Sequence, residues 1–298
     1  MRRALRSFTL ATVLAVTAFV VPNGGVNPTD ATMVRVERAQ GVDLSPDVIW
    51  ILALGSDARP GQNVVRSRAD AIQLVGINPR TGAATTIGIP RDSWVPISGY
   101  GSNRINAALY FGGPQLMARS VANLTGIEPD YVFVTSFWGL RHMVTAIGGV
   151  TVRSRHRFSD INLRPQGFHV GKNRLGGMGT LAFSRVRKDL PRGDFDRSAN
   201  QQETLRAIQR KIRDRADRAG FIDRGVLSVM SNVDTNLSPS EMFRIAQAIA
   251  QVDPSKVSGC VVQGSIGNVG GASVVFPNTS AARAYGNDAR KDATIRHC

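Results

Sequence analysis

The chain has 298 residues, 42% hydrophobic and 20% charged. That is enough to bury the core of one large domain or two small ones, and too apolar for a disordered chain. Lys and Arg number 37 against 22 Asp and Glu, a net charge of +15, and only five of those cations are Lys. Guanidinium presents a planar fork of donors that suits phosphate, where ammonium is a point charge. The partners to expect are a phosphorylated substrate, an anionic membrane or nucleic acid.

Arg2, Arg3 and Arg6 precede an uncharged run, residues 7–21, that ends at Pro22, Asn23 and Gly24. Basic flank, apolar run and breaker make an export signal. The run is shorter than the roughly 20 residues of a spanning helix, yet Val20-Val21-Pro22 makes a poor small-x-small cleavage site. Residues 1–22 are therefore expected to be a single-pass signal-anchor, or a signal peptide if cleaved, with the body outside the cell membrane. Export takes nucleic acid off the list of partners. Residues 23–45, rich early in Gly, Asn, Pro and Thr, read as an extracellular stalk, and 46–298 as the folded domain.

Val48–Leu54 is a continuous apolar run of buried-strand length. Asp70–Ile77 and Thr85–Ile89 are the next strands, joined by the turn Asn78-Pro79-Arg80-Thr81-Gly82. Helices are expected at Ile105–Tyr110 and Pro114–Leu124, a strand at Tyr131–Ser136, a helix at Phe137–Ile147 and a strand at Gly149–Val152. Leu175–Phe183 reads as a short helix leading into Ser184–Arg187, and Asp196–Arg218 as a long helix. Ser238-Pro239-Ser240-Glu241 combines a Ser cap, Pro at the first position and Glu three residues after the cap, opening a helix to about Gln251. Strands near Val257–Gln263 and Ala272–Phe276 and a helix at Ser280–Arg290 finish the chain. Interleaved strands and helices make the class α/β, a mixed β-sheet flanked by helices.

Charge concentrates at strand ends. The long segment Gly55–Ala69 holds Asp57, Arg59, Arg66 and Arg68, with Asp70 at its far end; loops of that length are functional or disordered. If the flanking strands pair antiparallel, Asp57 and Asp70 converge, and could hold Mg2+ or orient arginines; charged loop residues in water are the alternative. Arg91 follows an apolar strand directly. Arg185 and Arg187 would share one face of an extended segment, either solvated or facing an anion. Stepping back along the apolar face Ile212, Ile208, Leu205 of the long helix gives Gln201 and then Arg197. A cation on the inward side of a helix N-terminus opposes the macrodipole unless an anion binds there; a local pair with Asp194 or Asp196 is the other reading.

Cys260 and Cys298 fit an oxidising compartment, either as unpaired thiols or as a disulfide. Such a bond would close a loop worth about 3–4 kcal/mol in the chain-entropy model. Gly167–Lys172 is one residue short of a P-loop, no GxSxG occurs, and the four His lack metal-ligand spacing.

The ordered set of these segments resembles the LytR–CpsA–Psr (LCP) family of exported cell-wall enzymes. The matching stretches are Leu54–Arg59, Arg68–Asp70, Ile89–Asp92, Arg104–Ala108, Leu124–Ile127, Ala146–Val150, Ala182–Arg187 and Asp194–Arg197 followed by Gln201-Gln202. The likeness runs from about Ile51 to Ile212, leaving 213–298 as a C-terminal completion. It implies an α/β sandwich and a Mg2+-dependent phosphotransferase that moves a glycopolymer from a polyprenyl-diphosphate carrier onto peptidoglycan. It also implies that Asp57, Asp70, Arg91, Arg185, Arg187 and Arg197 surround the diphosphate, with Asp57 and Asp70 on the metal and Gln201 nearby. Asp70 is the candidate general base. Many members carry Arg where this chain has Asn200, a contact that Arg192 or Arg59 could supply. Phe133, Phe137, Trp138 and Leu205 are expected to line part of a groove for the polyprenyl chain, unless they are ordinary core. A lipid-diphosphate hydrolase and a non-catalytic wall-polymer binder are the competing functions.

Overall fold

The computed structural model describes residues 30–37, 47–221 and 233–298, so residues 1–22, expected to be a signal-anchor or signal peptide, lie outside the described residues. In chain order the elements are β1 (Ala31–Arg35), β2 (Ile49–Ser56), β3 (Ala69–Ile77), β4 (Ala84–Gly88), β5 (Trp94–Ile97), β6 (Gly101–Arg104) and helix α1 (Ala107–Thr125). Next come β7 (Tyr131–Ser136), α2 (Phe137–Ala146), β8 (Val150–Ser154), β9 (Phe158–Asp160), β10 (Arg164–Phe168), β11 (Gly171–Leu175) and α3 (Gly177–Arg185). The chain ends with α4 (Asp194–Ala216), β12 (Asp234–Thr235), α5 (Pro239–Gln251), β13 (Cys260–Val261), β14 (Gly264–Val269), β15 (Ala272–Pro277) and α6 (Thr279–Ala289).

Seven strands form one mixed sheet in the order β12-β1-β7-β2-β3-β4-β13. β2 runs parallel to β7 and antiparallel to β3, and β3 is antiparallel to β4. Alternation divides the strand side chains between two faces. Trp50, Leu52, Leu54, Ile72 and Leu74 pack on one, beneath α1 and α6, through Leu109, Met117, Val121, Ala282 and Tyr285. Ile51 and Ile77 pack on the other, against Met242, Ile245 and Ala248 of α5. A satellite cluster of Val150, Val152, Phe158, Phe168 and Phe183 holds the β8–β11 and β9–β10 ribbons to α3 and α4. Each fully buried Leu or Phe contributes about 1.5–3 kcal/mol by leaving water.

The α/β layering matches the expectation, and the central strands fall within a residue or two of it. α1 is the two expected helices in one, broken at Gly112 and Gly113, whose dihedrals are non-helical, just before Pro114. Ser238 caps α5 with a full capping box. Two segments differ. The stretch read as stalk contributes β1: Ala31–Arg35 pairs with β7 along its whole length, so this part of residues 23–45 belongs to the sheet, whereas 23–29 and 38–45 lie outside the described residues. Ser184 and Arg185 are not extended; they are the last residues of α3, where a cation complements the helix dipole. Cys260 and Cys298 stand at disulfide distance, with Cα atoms 5.5 Å apart.

Candidate active site

One end of the sheet gathers charge from three segments. Because β2 and β3 are antiparallel, Ser56 lies opposite Ala69, and the loop between them is closed by Asp57. Its carboxylate accepts the Arg68 amide at 3.0 Å while its own amide donates to the Arg68 carbonyl at 3.1 Å. Asp57 and Asp70 thus reach the same sheet end, as their spacing suggested, Asp57 exposed and Asp70 half-buried. Arg91, three residues beyond β4, reaches back and donates through Nη1 to Asp70 Oδ1. Its amide donates to Asp194 Oδ2 at 3.2 Å, tying the end of β4 to the start of α4.

Asp92 is the hub for the remaining cations. Arg187 Nη1 donates to its Oδ2 at 3.2 Å, and Arg91 Nε and Arg104 Nε lie 3.7 and 3.6 Å from its Oδ1. Arg104 is held from the far side by the Ser273 carbonyl at 2.6 Å. Gly193, whose φ of 51° a side chain would strain, turns the chain into α4. Arg197 in the first turn of that helix pairs with Asp194, both side chains being under 10% exposed. Arg197 faces inward, as helical spacing predicted, and forms the local pair with Asp194 that was the other reading.

Below these charges lies a buried amide network. Gln201 Nε2 donates to the Ser184 carbonyl at 3.2 Å and to the Asp70 carbonyl at 3.4 Å. Gln73 Nε2 donates to Gln201 Oε1 at 3.2 Å and to Ser198 Oγ at 3.1 Å. α4 comes this close to the sheet because residue 88 is glycine: a Cβ there would sit 2.5 Å from Ser198 Oγ.

The charges act on one another. Burial works to lower the Arg91 pKa, but Asp70, Asp92 and Asp194 outweigh it and leave the cation strengthened. Burial drives the Asp194 carboxyl above its usual range against the pull of Arg197, with Asp92 adding repulsion. Burial likewise lowers Arg197, opposed by Asp194 and assisted by Arg91.

Asp70, Arg91, Arg187, Arg197 and Gln201 come together. Arg185 stands one step outside: its Nε is 3.8 Å from Asp160, its guanidinium carbon 6.0 Å from the Phe137 ring centroid, and its side chain 45% exposed. Arg59 lies on the exposed part of the 57–68 loop. Arg192 is committed to Asp196 at 2.7 and 2.9 Å, and Asn200 donates to the Phe183 carbonyl at 3.4 Å. Sequence reasoning gave no role to Asp92, Asp194 as an anchor for Arg91, Arg104 or Gln73. The adjacency of Asp92 to Arg91 was a usable signal, whereas Gln73 reads only as a polar interruption of an apolar strand.

Among the described residues, no three His, Cys, Asp or Glu side chains come together as a metal cage. Two carboxylates at one sheet end, completed by phosphate oxygens and water, are nonetheless a donor set of the kind Mg2+ takes. Beside the charges runs apolar surface. Phe133, a cross-strand neighbour of Ala53, packs against the Ile51–Met242 cluster beneath α5, and Phe133, Phe137 and Leu205 are only half-buried, with Trp138 exposed.

The profile of the LytR_cpsA_psr family matches residues 25–291. The chain belongs to that family. A Bacillus anthracis protein named polyisoprenyl-teichoic acid–peptidoglycan teichoic acid transferase TagU is 34% identical over 199 residues, covering 65% of this chain and 62% of its own length. This LytR_cpsA_psr chain thus spans less than two thirds of that relative. The crystal structure of B. subtilis TagV is 26% identical, with a TM-score of 0.68 over 85% of this chain and all of that one. A structure of TagT bound to LIIa-WTA is 25% identical, with a TM-score of 0.66 over 85% of this chain and 94% of that one. Among the described residues no helix is long and apolar enough to cross a membrane.

Proposed function

We propose that the protein is a phosphotransferase that takes a glycopolymer from a polyprenyl-diphosphate carrier and attaches it to peptidoglycan, releasing polyprenyl phosphate. The observation that carries this reading is the meeting of Arg91, Arg187 and Arg197 around Asp70, Asp92 and Asp194 at one sheet end. The names of the TagU relatives, transferases from polyisoprenyl-linked teichoic acid to peptidoglycan, support the substrate class.

Phosphoryl transfer asks chiefly for positioning and charge neutralisation. Arg91 and Arg187 would exchange part of their hold on Asp70 and Asp92 for the diphosphate oxygens, and Arg197 would meet them from the start of α4. Arg185 and Arg59 would approach from the rim. A sugar hydroxyl of peptidoglycan attacks the phosphorus that bears the glycan, and the bond to polyprenyl phosphate breaks, the developing charge resting on the guanidiniums. Asp70, engaged by Arg91, orients that cation and remains the nearest candidate to receive the hydroxyl proton. Asp70 and Asp57 would hold Mg2+, which when bound supplies further neutralisation of the diphosphate. The half-buried Phe133, Phe137 and Leu205 suit the polyprenyl chain, and the apolar run 7–21 with its basic flank suits an anchor that keeps the domain outside the membrane.

The test is transfer of labelled glycan from a polyprenyl-diphosphate donor, with and without peptidoglycan. Polyprenyl phosphate release that depends on the acceptor supports transfer. Equal release into water alone would make the protein a hydrolase, no release at all would leave a polymer binder, and turnover that survives chelation of divalent metal would remove the Mg2+ role.

A further inference from the structure

The chain enters the described fold at the same sheet end as the charged site. The Ser136 amide donates to the Asp30 carbonyl at 2.8 Å and Ser136 Oγ to Asp30 Oδ1 at 3.0 Å, where β7 passes into α2. Ser136 lies opposite Ser56, and Ser56 opposite Ala69, the residue before Asp70. With adjacent strands about 4.8 Å apart, the three spacings from β1 to β3 separate Asp30 from Asp70 by on the order of 15 Å.

Only eight residues, 22–29, connect Asp30 to the apolar run 7–21. Fully extended, they reach about 30 Å, whereas a domain of about 250 residues is roughly 45 Å across. A tether shorter than the body it holds turns one end of that body toward the bilayer.

That end carries what a membrane interface takes. Trp138, the second residue of α2, is 38% exposed, with the Arg141 guanidinium carbon 4.9 Å from its ring centroid. Ile161, between β9 and β10, is 82% exposed. Between them sits Arg185, against Phe137 on one side and Asp160 on the other. An amphipathic indole and a bare aliphatic side chain beside cations are the mixture found at membrane interfaces. At the headgroup level of an anionic bilayer both groups are satisfied.

We infer that the rim formed by Trp138, Phe137, Arg185 and Ile161 seats on the anionic surface of the membrane that holds residues 7–21. The donor's diphosphate then passes to Asp70 and Arg91 without leaving the headgroup layer. The inference rests on the anchor and donor readings above.

It is tested with the full chain reconstituted in phosphatidylglycerol–phosphatidylcholine vesicles whose acyl chains carry bromine, a quencher of indole emission. The chain has three Trp, of which Trp50 is 1% exposed. Wild type should lose about a third of its emission relative to plain lipid, and Trp138→Phe should lose much less. Vesicle-bound chain whose quenching is absent, or is the same in Trp138→Phe, overturns the docking while leaving the anchor and the transferase readings intact. A chain that fails to sediment with vesicles overturns docking and anchor together. Quenching by a soluble bromine-bearing polyol phosphate in place of the lipid would assign the rim to the glycopolymer and overturn it too. As a second readout, Ile161→Asp should raise KM several-fold for donor in vesicles and leave kcat, and KM for detergent-dispersed donor, unchanged; equal KM values in vesicles count against the rim.

Discussion

Arg197 and Asp194 form an ion pair almost wholly out of water, in the first turn of α4, with side chains 7% and 9% exposed. Burial presses on both charges, raising the carboxyl and lowering the guanidinium. Desolvation offsets most of the attraction in such a pair, while removal of one partner strands the other at a cost of about 3–5 kcal/mol. Arg197→Met should destabilise the fold by about that much. Adding Asp194→Leu should recover only part of it, because the Arg91 amide loses its acceptor, and transfer should stay lost in both. Urea unfolding beside the transfer assay checks this. A double variant with restored activity would show that Arg197 serves the fold alone.

The contact between α4 and the sheet gives a second prediction. Gly88→Ala puts a methyl 2.5 Å from Ser198 Oγ and 2.9 Å from Gln202 Nε2, so these side-chain ends must give way, which disturbs the Gln73–Ser198 and Gln73–Gln201 hydrogen bonds beneath the site. Overpacking of this kind costs about 1–3 kcal/mol, which a domain of this size should survive, whereas a misplacement of about 1 Å can lower turnover about a hundredfold. Thermal unfolding and kcat measured together decide it: parallel, small losses would mean that the site tolerates the disturbance.

Those two residues mark where the sequence was readable and where it was not. The central strands β2, β3, β4 and β7 are near-continuous apolar runs because both their faces are covered, and that pattern survives without the structure. Arg197 and Gln201 were legible because helical spacing from Leu205 and Ile208 fixes which way they point. β5, β6 and the β9–β10 ribbon were not: Arg164-Pro165-Gln166-Gly167-Phe168 is buried only at Phe168 and has no alternation. β1 was hidden by its polar neighbourhood. The hub at Asp92 depends on side chains from β6 and from the segment after α3, and no local pattern records a meeting of residues 92, 104 and 187.

Asp196 predicts acid behaviour. Burial alone would raise its carboxyl, but hydrogen bonds from the Arg192 amide and guanidinium hold it below the ordinary value. A carboxyl with a lowered folded-state pKa contributes stability that is full above the unfolded value of about 3.9 and lost as pH falls through the folded one. Arg192→Ala removes the guanidinium bonds, so unfolding on acidification should begin at higher pH. At neutral pH the loss should be about 1–2 kcal/mol, toward the lower figure because the Arg192 side chain is 56% exposed. Circular dichroism across an acid titration reads both; coincident curves would mean that the pair is energetically silent.

Cys260 and Cys298 are 38 residues apart in sequence. Closing that loop stabilises the fold by about 3–4 kcal/mol in the chain-entropy model. Mass analysis after alkylation without reductant should find neither thiol modified, and Cys298→Ser should lower the unfolding midpoint by a matching amount. Two alkylated thiols in protein secreted to an oxidising compartment would show that the bond does not form.

In the proposed mechanism, guanidiniums from separate segments close on one diphosphate. The most direct measurement is calorimetric binding of polyprenyl diphosphate and polyprenyl monophosphate to wild type and to Arg187→Ala. The Arg187 side chain is 41% exposed and makes a single 3.2 Å bond to Asp92, so its loss should change stability by less than about 1 kcal/mol. Diphosphate affinity should fall at least about tenfold, the share of one charge-assisted contact of about 1.5–3 kcal/mol, and monophosphate affinity by less. Unchanged diphosphate affinity in a folded Arg187→Ala protein would contradict the cationic site.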